Sequence, residues 1–241
     1  MTRSANPPSH PRVAVITGAS QGLGLALAEA LAQRGWALVV DARRPDRLDR
    51  AVQHLAERTV VVGVAGDVTD PQHRAELARA AASLGPVALV VNNASTLGAS
   101  PLPALGTISP DGLRRTFEVN VIAPVALLQE LGPNFADATT IVHITSDAGI
   151  EAYPGWGGYG ASKAALEHVS RVLAVERPDL RVLVVDPGDM RTEMYQDAFP
   201  GEDISDRPEP AESVPGLVAL IEGDAPSGRY EARTYALAVS R

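Results

Sequence analysis

Short apolar runs alternate along the chain with longer stretches whose apolar residues recur at helical spacing. The runs are RVAVIT (12–17), ALVV (37–40), VVVGV (60–64), VALVVN (87–92), TIVHIT (140–145) and LRVLVVD (180–186). Rich in valine and isoleucine and bounded by Gly, Pro or Asp, they read as strands. They lack polar alternation, so both faces of their sheet are expected to be covered. The stretches between them predict helices near 22–34, 46–57, 71–83, 110–131, 158–176 and 211–222. Each is long enough for the crossover that a parallel strand pair needs. The pattern predicts an α/β fold: one domain over 12–241, a doubly wound parallel sheet with helices on both faces. Residues 1–11, rich in Pro, Ser and Asn, read as a mobile tail. Residues 193–210 have no clean period and carry three prolines, which predicts a long connection and a candidate substrate lid.

Composition narrows the class. The chain has 241 residues, 45% of them hydrophobic, enough for a sizeable core and too many for a disordered chain. Its 29 acids against 21 bases give a net charge of −8, which argues against nucleic acid as a partner. There is no cysteine, so disulfides, thiolate metal sites and cysteine nucleophiles are excluded, and a cytoplasmic location is expected. No stretch reads as a signal peptide or a membrane span. The five histidines form no cluster of metal-ligand spacing, so no metal is expected.

The first strand runs into TGASQGLG and then a series of helix formers. Unpaired amides and the macrodipole make such a helix start an anion site. Gly18 suits a tight turn, Gly22 lets backbone approach a pyrophosphate, and Gly24 permits close helix–strand packing. The group that reads the adenosine ribose is expected roughly 20 residues further on, at the end of the second strand. There Asp41 could accept from a free 2′-hydroxyl, favouring NAD, while Arg43 and Arg44 could hold a 2′-phosphate, favouring NADP. Spacing alone leaves both open.

Ser146 ends the fifth apolar run, and Tyr159 and Lys163 follow in YGASK. At i, i+4 the last two share a helix face, and strand ends are where open α/β sheets keep their ligands. A free tyrosine has a pKa near 10. A lysine charge about 5 Å away, at an effective dielectric of about 20, favours phenolate by roughly 3 kcal/mol, or about two pKa units. Ser146 could donate to a carbonyl oxygen on which charge develops. The set predicts acid–base chemistry beside a dinucleotide.

With these pieces in place, the chain resembles the short-chain dehydrogenase/reductase family over residues 12–235. The resemblance rests on TGASQGLG, Asp67-Val68, Asn92-Asn93-Ala94, Asn120, Ser146, Tyr159-Gly-Ala-Ser-Lys163 and Pro187-Gly188 with Thr192. It implies a Rossmann-type fold and a nicotinamide cofactor. It casts Tyr159 as general acid, Lys163 as its tuner and ribose ligand, Ser146 as carbonyl donor, and Asn120 as holder of a water beside Lys163. It implies cofactor contacts at Gly18, Ser20, Gln21, Gly22, Leu23 and Gly24 in the turn. Asp67 and Val68 would meet the adenine, Asn93 and Ala94 the ribose, and Pro187, Gly188, Met190 and Thr192 the nicotinamide end. In the family register Ala42 falls where NAD-preferring members carry an acid and Arg43 where NADP-preferring members carry a base, which favours NADP(H). Gln21 stands where many NADP members place a base inside the turn. Ser95 replaces the family's glycine, and the usual Asp-Gly-Gly finish is missing.

The expected function is therefore reduction of a carbonyl, or oxidation of the matching alcohol, by an NADP(H)-dependent enzyme. An NAD(H)-dependent dehydrogenase, a dinucleotide sensor and a redox-neutral epimerase or dehydratase are the alternatives. Ile150, Tyr153, Pro154 and Trp156, with Met194, Tyr195 and Phe199 from the lid, are candidate substrate contacts. Their character predicts a bulky, fairly apolar substrate. Surplus apolar surface on the helix near 110–131, in VNVIAPVALL, suits pairing of long helices in a homodimer or homotetramer.

Overall fold

The computed structural model describes residues 12–239. The predicted tail, 1–11, lies outside the described residues. Seven parallel strands form one sheet: β1 (Val13–Ile16), β2 (Ala37–Ala42), β3 (Val61–Ala65), β4 (Val87–Asn92), β5 (Phe135–Ile144), β6 (Arg181–Asp186) and β7 (Gly228–Glu231). Their order is β3-β2-β1-β4-β5-β6-β7. The direction of winding reverses between β1 and β4, which opens a crevice beyond their carboxyl ends.

Strand periodicity divides the core into two layers. Ala14, Ile16, Leu38, Val40, Leu89 and Val91 face α1 (Gly22–Ala32) and α8 (Val214–Glu222), where Leu23, Leu27, Leu31, Leu217 and Leu220 close over them. Val13, Val15, Val39 and Val90 face the other way, onto Leu77 and Ala81 of α3 (Pro71–Leu84) and Leu127 and Leu131 of α5 (Ala123–Leu131). Each such buried Leu or Val is worth about 1.5–3 kcal/mol. Helix starts are set locally: the Asp70 carboxylate accepts from Gln72 N at 2.9 Å, and Pro71 occupies a position that needs no N–H. Between β2 and β3 lies α2 (Pro45–Ala56), opened in the same way by Pro45.

Two predicted elements differ in the structure, and two more are added at its end. The helix expected over 110–131 is broken into α4 (Pro110–Phe117), a π turn over Glu118–Ile122, and α5. Ala123 N bonds Glu118 O, and Pro124 has no N–H to offer the Asn120 carbonyl. The connection over 193–210 is not devoid of structure, since it begins with a helix, α7 (Glu193–Ala198). The end of the chain adds β7 and α9 (Ala232–Val239). The strand GRYE carries no apolar run and pairs with one neighbour, β6. The remaining long helix, α6, spans Gly157–Glu176.

Candidate active site

The glycine turn is locked from below. Thr17 Oγ1 accepts from Asn93 N and Ala94 N, each at 3.0 Å. Asn93 Nδ2 donates to Thr17 O at 2.9 Å and to Gly18 O at 3.1 Å. Gly18 and Gly22 adopt φ of +67° and +56°, in the left-handed region that side chains disfavour. A Cβ on Gly24 would stand 2.4 Å from the Gly18 carbonyl oxygen and 2.6 Å from Asn93 Nδ2. The Gln21 side chain does not cap α1, which leaves first-turn amides for an anion. This cradle fits a nucleotide pyrophosphate.

Asp41 has a different place from the one that spacing allowed. It is 1% exposed, with Oδ1 accepting from Gly18 N at 2.6 Å and Oδ2 lying 3.0 Å from His73 Nε2. Burial raises its pKa, opposed by the His73 and Gly18 bonds. Asp41 thus clamps the glycine turn from beneath instead of standing at the rim. The exposed guanidinium residues Arg43 and Arg44 hold the rim.

A cavity of about 370 Å³ runs from this turn to the end of β5. Gly18, Ser20, Gln21, Gly22 and Leu23 line one end with Arg43 and Arg44. Asp67, Val68, Asn93 and Ala94 line its side; Ser146, Tyr159 and Lys163 lie deeper. Pro187, Gly188, Met190 and Thr192 follow β6 along the opposite wall, and Trp156, Met194 and Tyr195 close the mouth. Gly24 and Asn120 lie behind the wall, as does Phe199, whose ring packs 6.0 Å from Trp156 and 5.0 Å from Tyr195. Ile150, Tyr153 and Pro154 are exposed outside the cavity, and the Tyr153 hydroxyl donates to Asp147 Oδ2 at 2.9 Å.

The acid–base group is assembled by close packing of α6 on the short turn after β5, Asp147–Gly149. A Cβ on Gly160 would meet the Ala148 carbonyl oxygen at 2.4 Å, so glycine lets the helix approach. Ser146 Oγ donates to Asp147 Oδ1 at 2.9 Å. Lys163 Nζ donates to Ile144 O at 2.9 Å and lies 5.4 Å from the centre of the Tyr159 ring. Asn120 is fully engaged by protein: Oδ1 accepts from Thr96 N and Ser95 Oγ, while Nδ2 donates to Thr96 O and Ser162 Oγ. The hydroxyl at Ser95 therefore has a partner, and the side chain is accommodated.

The electrostatics correct one expectation. Burial, helped by the Asp186 and Asp147 charges, pushes the Tyr159 phenol above its ordinary value, while hydrogen bonding with Ser95 and Ser146 opposes the rise. The lowering expected from Lys163 does not prevail. Burial also takes Lys163 down to about 8, against the pull of the Glu167 carboxylate. His143, on β5, is lowered to about 3 by burial and the Lys163 charge, so it stays neutral. Asp67 is lowered to about 2: although burial raises it, bonds from Thr69 and Arg115 prevail.

Several contributors carried no sequence signal. Arg229 of β7 reaches Glu167 and Asp186, each at 3.1 Å. Asp186 Oδ1 accepts from Gly188 N at 2.9 Å and shapes the turn after β6. Arg47 of α2 also lines the cavity. Lys163 is the only lysine in the chain, every other cation being arginine or histidine. Lysine, unlike arginine, loses its proton readily when buried. Protein grown with ¹⁵N-labelled lysine should give one side-chain signal that titrates near pH 8. A midpoint near the free-lysine value of about 10.4 would contradict this environment.

Comparison with known proteins agrees with this architecture. A model of the short chain dehydrogenase family matches residues 12–203. The chain is 33% identical over 197 residues to tropinone reductase-like 3 of Erythroxylum coca, covering 80% of this chain and 75% of that one. The solved structure of the oxidoreductase YciK from Escherichia coli superposes with a TM-score of 0.85 at 30% identity, covering 93% of this chain and 96% of that one. A short-chain dehydrogenase from Escherichia coli CFT073, solved with NADPH, gives 0.83 at 29% identity, with 93% and 97% covered. No helix among the described residues is long and apolar enough to cross a membrane. The chain belongs to the short-chain dehydrogenase/reductase family and is an NAD(P)-dependent oxidoreductase.

Proposed function

We propose that the protein is an NADP(H)-dependent reductase of a bulky, fairly apolar carbonyl compound, able to oxidise the matching alcohol in reverse. The observation that carries this reading is the convergence of Ser146, Tyr159 and Lys163 at the deep end of the cavity that begins at the glycine turn. Gly18, Ser20, Gln21, Gly22 and Leu23 would hold the pyrophosphate, and Arg43 and Arg44 the 2′-phosphate. Asp67 and Val68 would receive the adenine, Asn93 and Ala94 the ribose. Pro187, Gly188, Met190 and Thr192 would position the nicotinamide, which supplies the hydride when bound.

The remaining chemistry falls to side chains. Ser146 turns its hydroxyl from Asp147 to the substrate carbonyl oxygen, where negative charge grows. Tyr159 donates its proton to that oxygen. A phenol held above its ordinary pKa stays protonated at neutral pH, the state in which it can act as the acid in reduction. Lys163 offers positive charge to the phenolate that remains, provided that it is itself protonated. Turnover should therefore fall as pH rises through about 8, where Lys163 loses its proton. Trp156, Met194, Tyr195 and Leu97 give the mouth its apolar and aromatic lining.

With a panel of hydrophobic ketones, NADPH oxidation should far exceed NADH oxidation. The reverse preference would overturn the cofactor assignment. The exposed Ile122, Val172 and Val175, at 50%, 42% and 82%, lie beside or on the long helices and support assembly through them. Sedimentation should show a homodimer or homotetramer; a monomer across micromolar concentrations would exclude that assembly.

A further inference from the structure

Three arginines converge on the end of the cavity that the glycine turn begins, and they are not alike. Arg43 and Arg44 are exposed, and their side chains make no hydrogen bond or ion pair among the described residues. Arg47, in the first turn of α2 and 24% exposed at its side chain, is held through a single nitrogen, Nη1. Its Nη1 lies 2.8 Å from both Glu193 oxygens and also contacts the Gln21 side-chain oxygen. Gln21 Nε2 in turn donates to Glu193 Oε2 at 3.1 Å. A neutral amide in the glycine turn is thus given a positive charge from α2. A carboxylate from the first residue of α7 sits where that charge would otherwise meet an anion.

We infer that Arg47 is a third phosphate-reading cation, specific for a 2′-phosphomonoester on the adenosine ribose, and that Glu193 is the internal anion which that phosphate displaces. The inference rests on the NADP(H) reading and deepens it. A carboxylate and a phosphate monoester make the same charge-assisted contacts with a guanidinium, and the phosphate brings more charge and more acceptor oxygens. The exchange is therefore favourable, yet it is opposed by the cost of releasing Glu193. Around Arg47 the other charges are Asp46, on its own helix, and Arg44, which also attracts Glu193. Removing Glu193 leaves Arg43, Arg44 and Arg47 beside Asp46, whose carboxylate is itself paired with Arg50 at 3.4 Å. Because Glu193 opens α7 next to the Thr192 cap, phosphate capture also frees the start of the lid from the glycine turn.

The test is calorimetric titration of the full chain with adenosine 2′,5′-bisphosphate and with adenosine 5′-monophosphate, using wild type, Arg47→Met and Glu193→Gln. The two ligands differ only in the phosphate at issue. Arg47→Met should weaken the bisphosphate about tenfold and leave the monophosphate within about twofold, the loss of one charge-assisted contact. Glu193→Gln should tighten the bisphosphate several-fold and leave the monophosphate unchanged. An Arg47→Met protein that binds the bisphosphate as wild type does, or that loses both ligands equally, overturns the role of Arg47. Unchanged or weaker bisphosphate binding by Glu193→Gln overturns the competition. A wild-type protein with no preference for the bisphosphate contradicts the NADP(H) assignment itself, a failure visible without either variant.

Discussion

Tyr159→Phe should reduce turnover about a thousandfold while cofactor affinity stays within about threefold of wild type. General acid–base groups contribute typically 10²–10⁴-fold, and phenylalanine keeps the ring while removing the one proton the reaction needs. The ring's surroundings remain satisfied without the hydroxyl: its edge packs against Trp156 at 5.6 Å, Ser146 keeps Asp147, and Ser95 keeps Asn120. The residue is 8% exposed, so water cannot readily take over the proton transfer. Steady-state kinetics with a fixed ketone, paired with calorimetric titration of NADPH, separates the two quantities. A variant that keeps a tenth of wild-type turnover would remove Tyr159 from its proposed role.

Gly24→Ala should weaken NADPH binding about tenfold to a hundredfold and lower the melting temperature. The added methyl would stand 2.4 Å from the Gly18 carbonyl oxygen, a backbone atom that cannot swing aside. Relief needs the turn to open, which costs about 1–3 kcal/mol as overpacking does. It would also break the Asn93 bonds that hold Thr17 and Gly18 in place. Gly132→Ala supplies the control, since nothing lies within 4 Å of its Cβ position and its φ is −51°. Equal binding by the Gly24 and Gly132 variants would show that the turn does not hold the cofactor.

The strands and most helices were legible because burial on both faces leaves a continuous apolar run, and crossovers leave a helical period. Position within those elements was harder to read. Asp41 sits at the end of β2, where a one-residue change of register decides between the rim and the floor. The pleat turns it under Gly18, where His73, 32 residues away, completes its bonds. The π turn at Glu118–Ile122 left little trace beyond Pro124, whose effect depends on which carbonyl it leaves free. The strand β7, GRYE, carries no apolar signal, yet it delivers Arg229 to the back of the site. Ser146, Tyr159 and Lys163 were readable as a set because their spacing fixes a shared helix face beside a strand end. Their proton affinities were not, because burial depends on what the whole fold packs around them. A lysine about 5 Å from a phenol favours phenolate at an effective dielectric of about 20; in this interior, burial of the phenol prevails and the lysine is itself lowered. Arg47 was missed for a simpler reason: a helix-surface arginine shows its partner only when the lid's Glu193 is in view.

The most direct test of the account is the fate of isotope carried on the cofactor. NADPH deuterated at both C4 positions should be consumed with a hydrophobic ketone, and mass spectrometry should find one deuterium on the carbinol carbon of the alcohol product. Product formed without deuterium at that carbon, or no oxidation of the cofactor by any ketone in the panel, would contradict it.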